Sequence, residues 1–187
     1  FIRYIDAVPV PLHLDEHHNF TCAPEQLAAL ITPKTKLIIL NFPSNPTGGV
    51  ATHDQLAALA DIIQTRCSSD LRVYSDEIYE NIIFDGHSHL SIASLPGMAE
   101  RTIISSGFSK SFAWTGGRVG YAVMPTVEEA EVFKTMNINY FSCVPPYNQE
   151  GAREALENEQ SGPWMAEMAR TFERRRDVIH EELNAIE

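Results

Sequence analysis

Ser106-Gly107-Phe108-Ser109-Lys110 places an amine on a glycine-containing loop, where it could attack a carbonyl and form a Schiff base. A nucleophilic lysine must lose its proton, which needs desolvation or neighbouring positive charge. Arg118 comes next in the chain as a candidate partner. Its permanent cation and planar fork suit a phosphate. Asp76 is followed at i+3 by Tyr79, so on a helical turn both face the same way. A buried carboxylate beside a heteroaromatic nitrogen would keep that nitrogen protonated, and a phenol beside it could bond a ring oxygen. Asn45, in the turn-forming Pro43-Ser44-Asn45-Pro46-Thr47-Gly48-Gly49, adds an amide.

These groups can cooperate only if the chain brings them together. The apolar pattern predicts strands at Lys36–Phe42, Leu71–Ser75, Thr102–Ser106 and Val119–Met124, with a further candidate at Ile2–Val10. Helical spacing of Leu56, Leu59, Ala60 and Ile63 predicts a helix over His53–Arg66, capped by Thr52. Further helices are expected at Pro24–Ile31 (with Thr21 or Cys22 near its start), Val127–Asn137 and Gln149–Glu157. A long helix should open at Gly162-Pro163, striped by Met165, Met168, Phe172, Ile179, Leu183 and Ile186. Ile82–Gly86 reads as an extended piece entering a turn. Strands alternating with helices predict an α/β fold, a three-layer sandwich whose mostly parallel sheet has helices on both faces. In such sheets ligands bind beyond the carboxyl ends of the strands. Asn45, Asp76 and Lys110 each come after a strand, so parallel strands would bring amide, carboxylate and amine to one rim.

A Schiff-base lysine, an acid for a pyridine nitrogen and an arginine for a phosphate are the parts expected around pyridoxal 5'-phosphate. Four segments carry a closer likeness: Asn45-Pro46-Thr47-Gly48, Ser75-Asp76-Glu77-Ile78-Tyr79, Ser105-Ser106-Gly107-Phe108-Ser109-Lys110, and Thr115-Gly116-Gly117-Arg118-Val119-Gly120-Tyr121. In content, order and spacing they resemble the class I/II aminotransferases, the aspartate-aminotransferase-like enzymes of fold type I. The resemblance implies that Lys110 holds the coenzyme and moves protons during transamination. It implies that Asp76 bonds the ring nitrogen, that Tyr79 and Asn45 bond the ring 3-oxygen, and that Arg118 binds the phosphate. Ser109 or Ser106 would add a hydroxyl there. It also implies a cis Asn45–Pro46 peptide. Two positions depart from the pattern: Gly107 stands where many relatives carry a phosphate-binding serine, and Trp114 where a smaller aliphatic side chain is usual.

By the same resemblance, residues 1–160 correspond to part of a coenzyme-binding large domain, and 161–187 to the helix leading toward a small domain. The phosphate loop and the ring-stacking aromatic residue would lie upstream of Phe1, and the arginine for the substrate carboxylate downstream of Glu187. The fragment alone is therefore expected to be inactive. Family members are homodimers, and the Cys143–Tyr147 loop is expected near that interface. The implied reaction moves an amino group between an amino acid and a 2-oxo acid. A lyase or decarboxylase using the same coenzyme, a coenzyme-sensing domain of a transcription regulator, and a coenzyme-free scaffold are the alternatives.

Composition bounds these readings. Charged residues make up 21% and hydrophobic residues 44%, as in globular chains. The 25 acidic against 14 basic residues give −11, which argues against nucleic acid, where affinity rests on cations at phosphates. No apolar run approaches the roughly 20 residues of a membrane span. The 3 cysteines form no CxxC pair and read as reduced thiols of a cytoplasmic chain. Gly116–Gly120 resembles a dinucleotide loop but precedes a strand instead of coming after one, so it is rejected. No metal site is expected: His87-Ser88-His89 and Asp15-Glu16-His17-His18 read as solvated loops, and Glu173–Asp177 as a solvated helix face.

Overall fold

The computed structural model describes residues 2–186. Its sheet has strands β1 (Leu37–Asn41), β2 (Arg72–Asp76), β3 (Thr102–Gly107) and β4 (Gly120–Val123), in that spatial order. β1, β2 and β3 run parallel, and β4 is antiparallel to β3. Helices are α1 (Pro24–Leu30), α2 (His53–Arg66), α3 (Val127–Phe141), α4 (Pro146–Glu157) and α5 (Ser161–Asn184).

Side chains alternate across a strand. Ile38 and Leu40 of β1 and Val73 of β2 therefore enter the core beneath α1 and α2, where Leu27, Leu56, Leu59, Ala60 and Ile63 meet them. Leu71, Ile92 and Met98 complete this cluster with almost no exposure. On the opposite face, Arg72 reaches across to Glu129 of α3, and Leu37 and Ile39 stay about half exposed. A second, smaller cluster gathers Phe108, Val119 and Ala152 with Trp114.

α2 forms over the expected residues because its start is chemically marked. Thr52 accepts from the Gln55 amide and Gln55 returns a bond to the Thr52 amide. α1 starts at Pro24 on an Ala23 cap without a side-chain bond; Thr21 instead donates to His18 O and accepts from Gln55 Nε2. α3 runs on to Phe141, and α4 begins early, at Pro146. One expected strand is absent. Ile2–Ile5 forms a 3-10 turn and residues 7–10 join no described strand, leaving Ile5, Val8 and Val10 exposed. Its apolar residues meet no neighbouring strand edge, and β propensity expresses itself only through such partners.

α5 follows its predicted stripe but leaves the body as it runs. Met165 and Met168 are half-buried, whereas Ile179, Leu183 and Ile186 are exposed. The Glu173–Asp177 run is not merely a solvated face. Arg176 holds the Asp85 carboxylate with both terminal nitrogens and stacks over Phe84, while Glu173 accepts from the Asp85 amide. No described helix is long and apolar enough to cross a membrane.

Candidate active site at the carboxyl edge of the sheet

The register aligns Asn41, Asp76 and Ser105 across three neighbouring parallel strands. The loops leaving these three positions therefore emerge at one edge. After β1 the chain turns through Phe42–Gly49, with cis peptides before Pro43 and Pro46, the second as expected. Gly49 is required there, because a Cβ would lie 2.7 Å from Phe20 O and 2.8 Å from Asn19 O. Asn41 anchors the turn: its Oδ1 accepts from the Asn45 amide at 3.0 Å, and its Nδ2 donates to Asp76 O at 3.2 Å. Asn45 Nδ2 then donates to Tyr79 Oη at 3.1 Å. Lys110 Nζ lies 5.1 Å from the centroid of the Tyr79 ring. Amide, phenol and amine thus form one continuous group beside the strand end that carries Asp76.

β3 and β4 build the adjoining corner. Gly107 pairs with Gly120, and Phe108 N–H continues the ladder to Val119 O. Ser109 follows Phe108 in the next loop, and Arg118 precedes Val119. Thr115 ties them together, donating from Oγ1 to Ser109 O and accepting from Arg118 Nη1 at its own carbonyl. Arg118 has a left-handed backbone, φ 51°, and an exposed guanidinium. Among the described residues no carboxylate pairs with it, so its charge is available to an anion. Ser106 differs from Ser109. It is buried, and its hydroxyl donates to Glu80 Oε1 at 3.0 Å. A hydroxyl has one proton, so in this arrangement Ser106 has none left for a phosphate. Gly107 also cannot be serine without rearrangement, because a Cβ would meet Val119 O at 2.8 Å and Gly120 Cα at 2.9 Å. Trp114 fits because Gly117 and Gly151 leave room for its indole, which meets Phe108 edge-on.

Several supporting residues lie outside the sequence-derived set. Asn41 is one. Asn81 is another: its Nδ2 donates to Ser111 Oγ at 3.2 Å, joining the turn after Tyr79 to the loop after Lys110. His89 is not in a solvated loop. Its Nε2 lies 2.8 Å from Glu77 Oε2, and its side chain is only 15% exposed. Polar residues at or soon after strand ends are the sequence signal for Asn41 and Asn81, but all three have partners in other segments. Glu77, Glu80 and His89 bring ligand atoms within 4.8 Å of one another, yet His89 and Glu77 hold each other and Glu80 holds Ser106.

The arrangement fits a phosphorylated pyridine aldehyde. The amine lies over the phenol ring, Asp76 ends the neighbouring strand, and among the described residues no carboxylate pairs with the Arg118 guanidinium. Comparison with known proteins gives the family. The family model described as aminotransferase class I and II matches residues 1–187. The chain belongs to this family. It is 40% identical to aromatic-amino-acid aminotransferase 2 of Thermococcus litoralis, over 98% of this chain and 48% of that protein. It is 38% identical to an aspartate aminotransferase of Pyrococcus abyssi, with the same shares covered. Among solved structures, the aromatic aminotransferase of Pyrococcus horikoshii superposes with a TM-score of 0.89 at 38% identity, covering 95% of this chain and 47% of that one. The aspartate aminotransferase of Thermus thermophilus, solved with maleate, gives 0.89 at 34% identity, covering 98% and 47%. The chain spans about half the length of the curated relatives it matches. The aminotransferase neighbours have the same α/β fold with a mostly parallel sheet.

Proposed function

We propose that the protein to which this chain belongs is a pyridoxal 5'-phosphate-dependent aminotransferase. It moves an amino group between an amino acid and a 2-oxo acid. One observation carries the reading: Lys110, Tyr79 and Asn45 form a connected group at the edge where Asp76 ends β2. When bound, the coenzyme supplies a carbonyl for an amine and a pyridine ring that draws electrons from the substrate Cα. Lys110 would provide that amine, and once freed would act as the general base and acid that moves the substrate Cα proton. Asp76 would accept a hydrogen bond from the ring nitrogen and keep it protonated. Tyr79 Oη and Asn45 Nδ2 would bond the ring 3-oxygen. Arg118 would hold the phosphate, with Ser109 adding a hydroxyl.

The named relatives act on aromatic amino acids or on aspartate, so these are the first donors to test. The protein is read as a cytoplasmic homodimer, with residues 1–160 in the coenzyme-binding domain and α5 leading toward a second one. The test is turnover by the complete protein with donor amino acids and a 2-oxo acid acceptor. Transamination abolished by Lys110→Ala supports the reading. Release of pyruvate and ammonia without an acceptor would overturn it in favour of a lyase.

A further inference from the structure

Asp76 and Glu77 are adjacent carboxylates, and strand alternation sends them to opposite sides of β2. Asp76 is half-buried at the end of β2. Glu77 is buried, with its side chain only 4% exposed. A carboxylate so placed is costly unless its oxygens are bonded. Here three side chains bond them. Oε1 accepts from Ser75 Oγ at 2.8 Å and Ser91 Oγ at 2.7 Å, and Oε2 faces His89 Nε2 at 2.8 Å. Burial by itself would raise the Glu77 carboxyl, but the bonds from His89, Ser91 and Ser75 outweigh it and hold the group below its ordinary value.

The backbone of Glu77 is equally engaged. Its N–H donates to Ser105 O at 2.9 Å, adding a rung to the β2–β3 ladder beyond Asp76. Its carbonyl accepts from Glu80 N–H at 2.9 Å, which closes the turn that presents Tyr79. Glu77 thus ties three things together: its carboxylate joins the end of β2 to the segment His89–Ser91 beside the core residue Ile92, and its backbone carbonyl closes the Tyr79 turn.

We infer that Glu77 is a positioning residue. Its buried carboxylate, gripped by Ser75, His89 and Ser91, fixes the strand end and turn from which Asp76 and Tyr79 face the coenzyme pocket. It touches neither coenzyme nor substrate and acts through those two residues. The inference rests on the proposed coenzyme role of Asp76 and Tyr79. The mechanism is geometric. In Glu77→Gln the amide oxygen can still accept from both serines, and the amide nitrogen can donate to His89 once the imidazole carries its proton on Nδ1. In Glu77→Ala all three donors lose their acceptor.

The experiment uses the complete protein and three readouts: pyridoxal phosphate affinity, the pH midpoint of the bound coenzyme's absorption band, and hydrogen exchange at the Glu80 and Ile82 amides without coenzyme. Glu77→Ala is expected to weaken affinity about 10–100-fold, as loss of supporting partners typically does. It should also shift the band's pH midpoint and speed exchange at both amides. Glu77→Gln is expected to restore affinity to within several-fold of wild type. Should Glu77→Ala fail to fold, Ser91→Ala and His89→Ala each remove one grip and should produce smaller shifts in the same direction. Wild-type affinity, band midpoint and exchange in the folded variants would overturn the inference. A wild-type protein without a coenzyme band would instead defeat the coenzyme reading. The exchange rates would still decide whether Glu77 holds the turn.

Discussion

Asn45 Nδ2 donates to Tyr79 Oη across 3.1 Å, joining the loop after β1 to the turn after β2. The bond fixes the phenol from one side while the Lys110 ammonium lies over the face of its ring. Tyr79 is thus the middle member of the group, and its hydroxyl is the part most sensitive to deletion. Tyr79→Phe should keep the ring and the contact with Lys110 but lose the bond to Asn45. A lost hydrogen bond of about 1–1.5 kcal/mol corresponds to roughly a tenfold change. Steady-state kinetics of the complete protein should therefore show kcat/KM lowered about tenfold, with Asn45→Ala close behind. Unchanged kinetics in both variants would remove this pair from the site.

Lys110 should behave differently from every other residue at this edge. Removing the amine removes both the covalent attachment and the proton carrier. Lys110→Ala should lower turnover by about 10³-fold or more, while the thermal midpoint changes little because the side chain is only half-buried. Borohydride reduction followed by peptide mass analysis gives an independent check. The coenzyme's mass should appear on the peptide containing Lys110 and vanish in the variant.

Gly107 marks a position where restoring the common family residue should fail. Serine there would match many relatives, but its Cβ would press on the β4 backbone at Gly120 and on the preceding Val119 carbonyl. Gly107→Ser is expected to push β3 from β4, part Ser109 from Arg118, and cost about 1–3 kcal/mol. Urea unfolding should show the loss, and phosphate-dependent coenzyme affinity should fall. A gain in affinity would show that the corner has room for a second hydroxyl.

The acid limb of stability should carry a contribution from Glu77. Its folded-state carboxyl lies below its ordinary value, so the folded form binds a proton less readily than the unfolded one. The contribution is then fully present above the unfolded value and fades as pH falls through the folded one. The difference in unfolding midpoint between wild type and Glu77→Gln should shrink as pH drops from about 6 to about 3. A difference that stays constant over this range would mean that the carboxylate's charge state is not linked to folding.

Local order was the most readable feature of the chain. The Thr52 and Gln55 capping pair and the apolar spacing behind it define α2 from end to end, because each contact is made within a few residues. The motif residues Asn45, Asp76 and Lys110 were legible for a similar reason: each lies at or just past the end of a strand whose apolar run announces it. The stretch Ile2–Val10 was misleading, since its apolar residues have no neighbouring strand to satisfy them.

By itself, then, the sequence determined the helices, the strands of the sheet and the chemical types gathered at its edge. Short-range hydrogen bonds and side-chain periodicity encode these. Tertiary structure alone decided that the Glu77 carboxylate is buried with three side-chain partners, because that depends on the donors Ser91 and His89 arriving from another segment. It also decided that Ser106 turns to Glu80, and that Arg176 reaches back to Asp85. Side-chain partners far apart in the chain are set by how the layers meet, and no local pattern records that meeting.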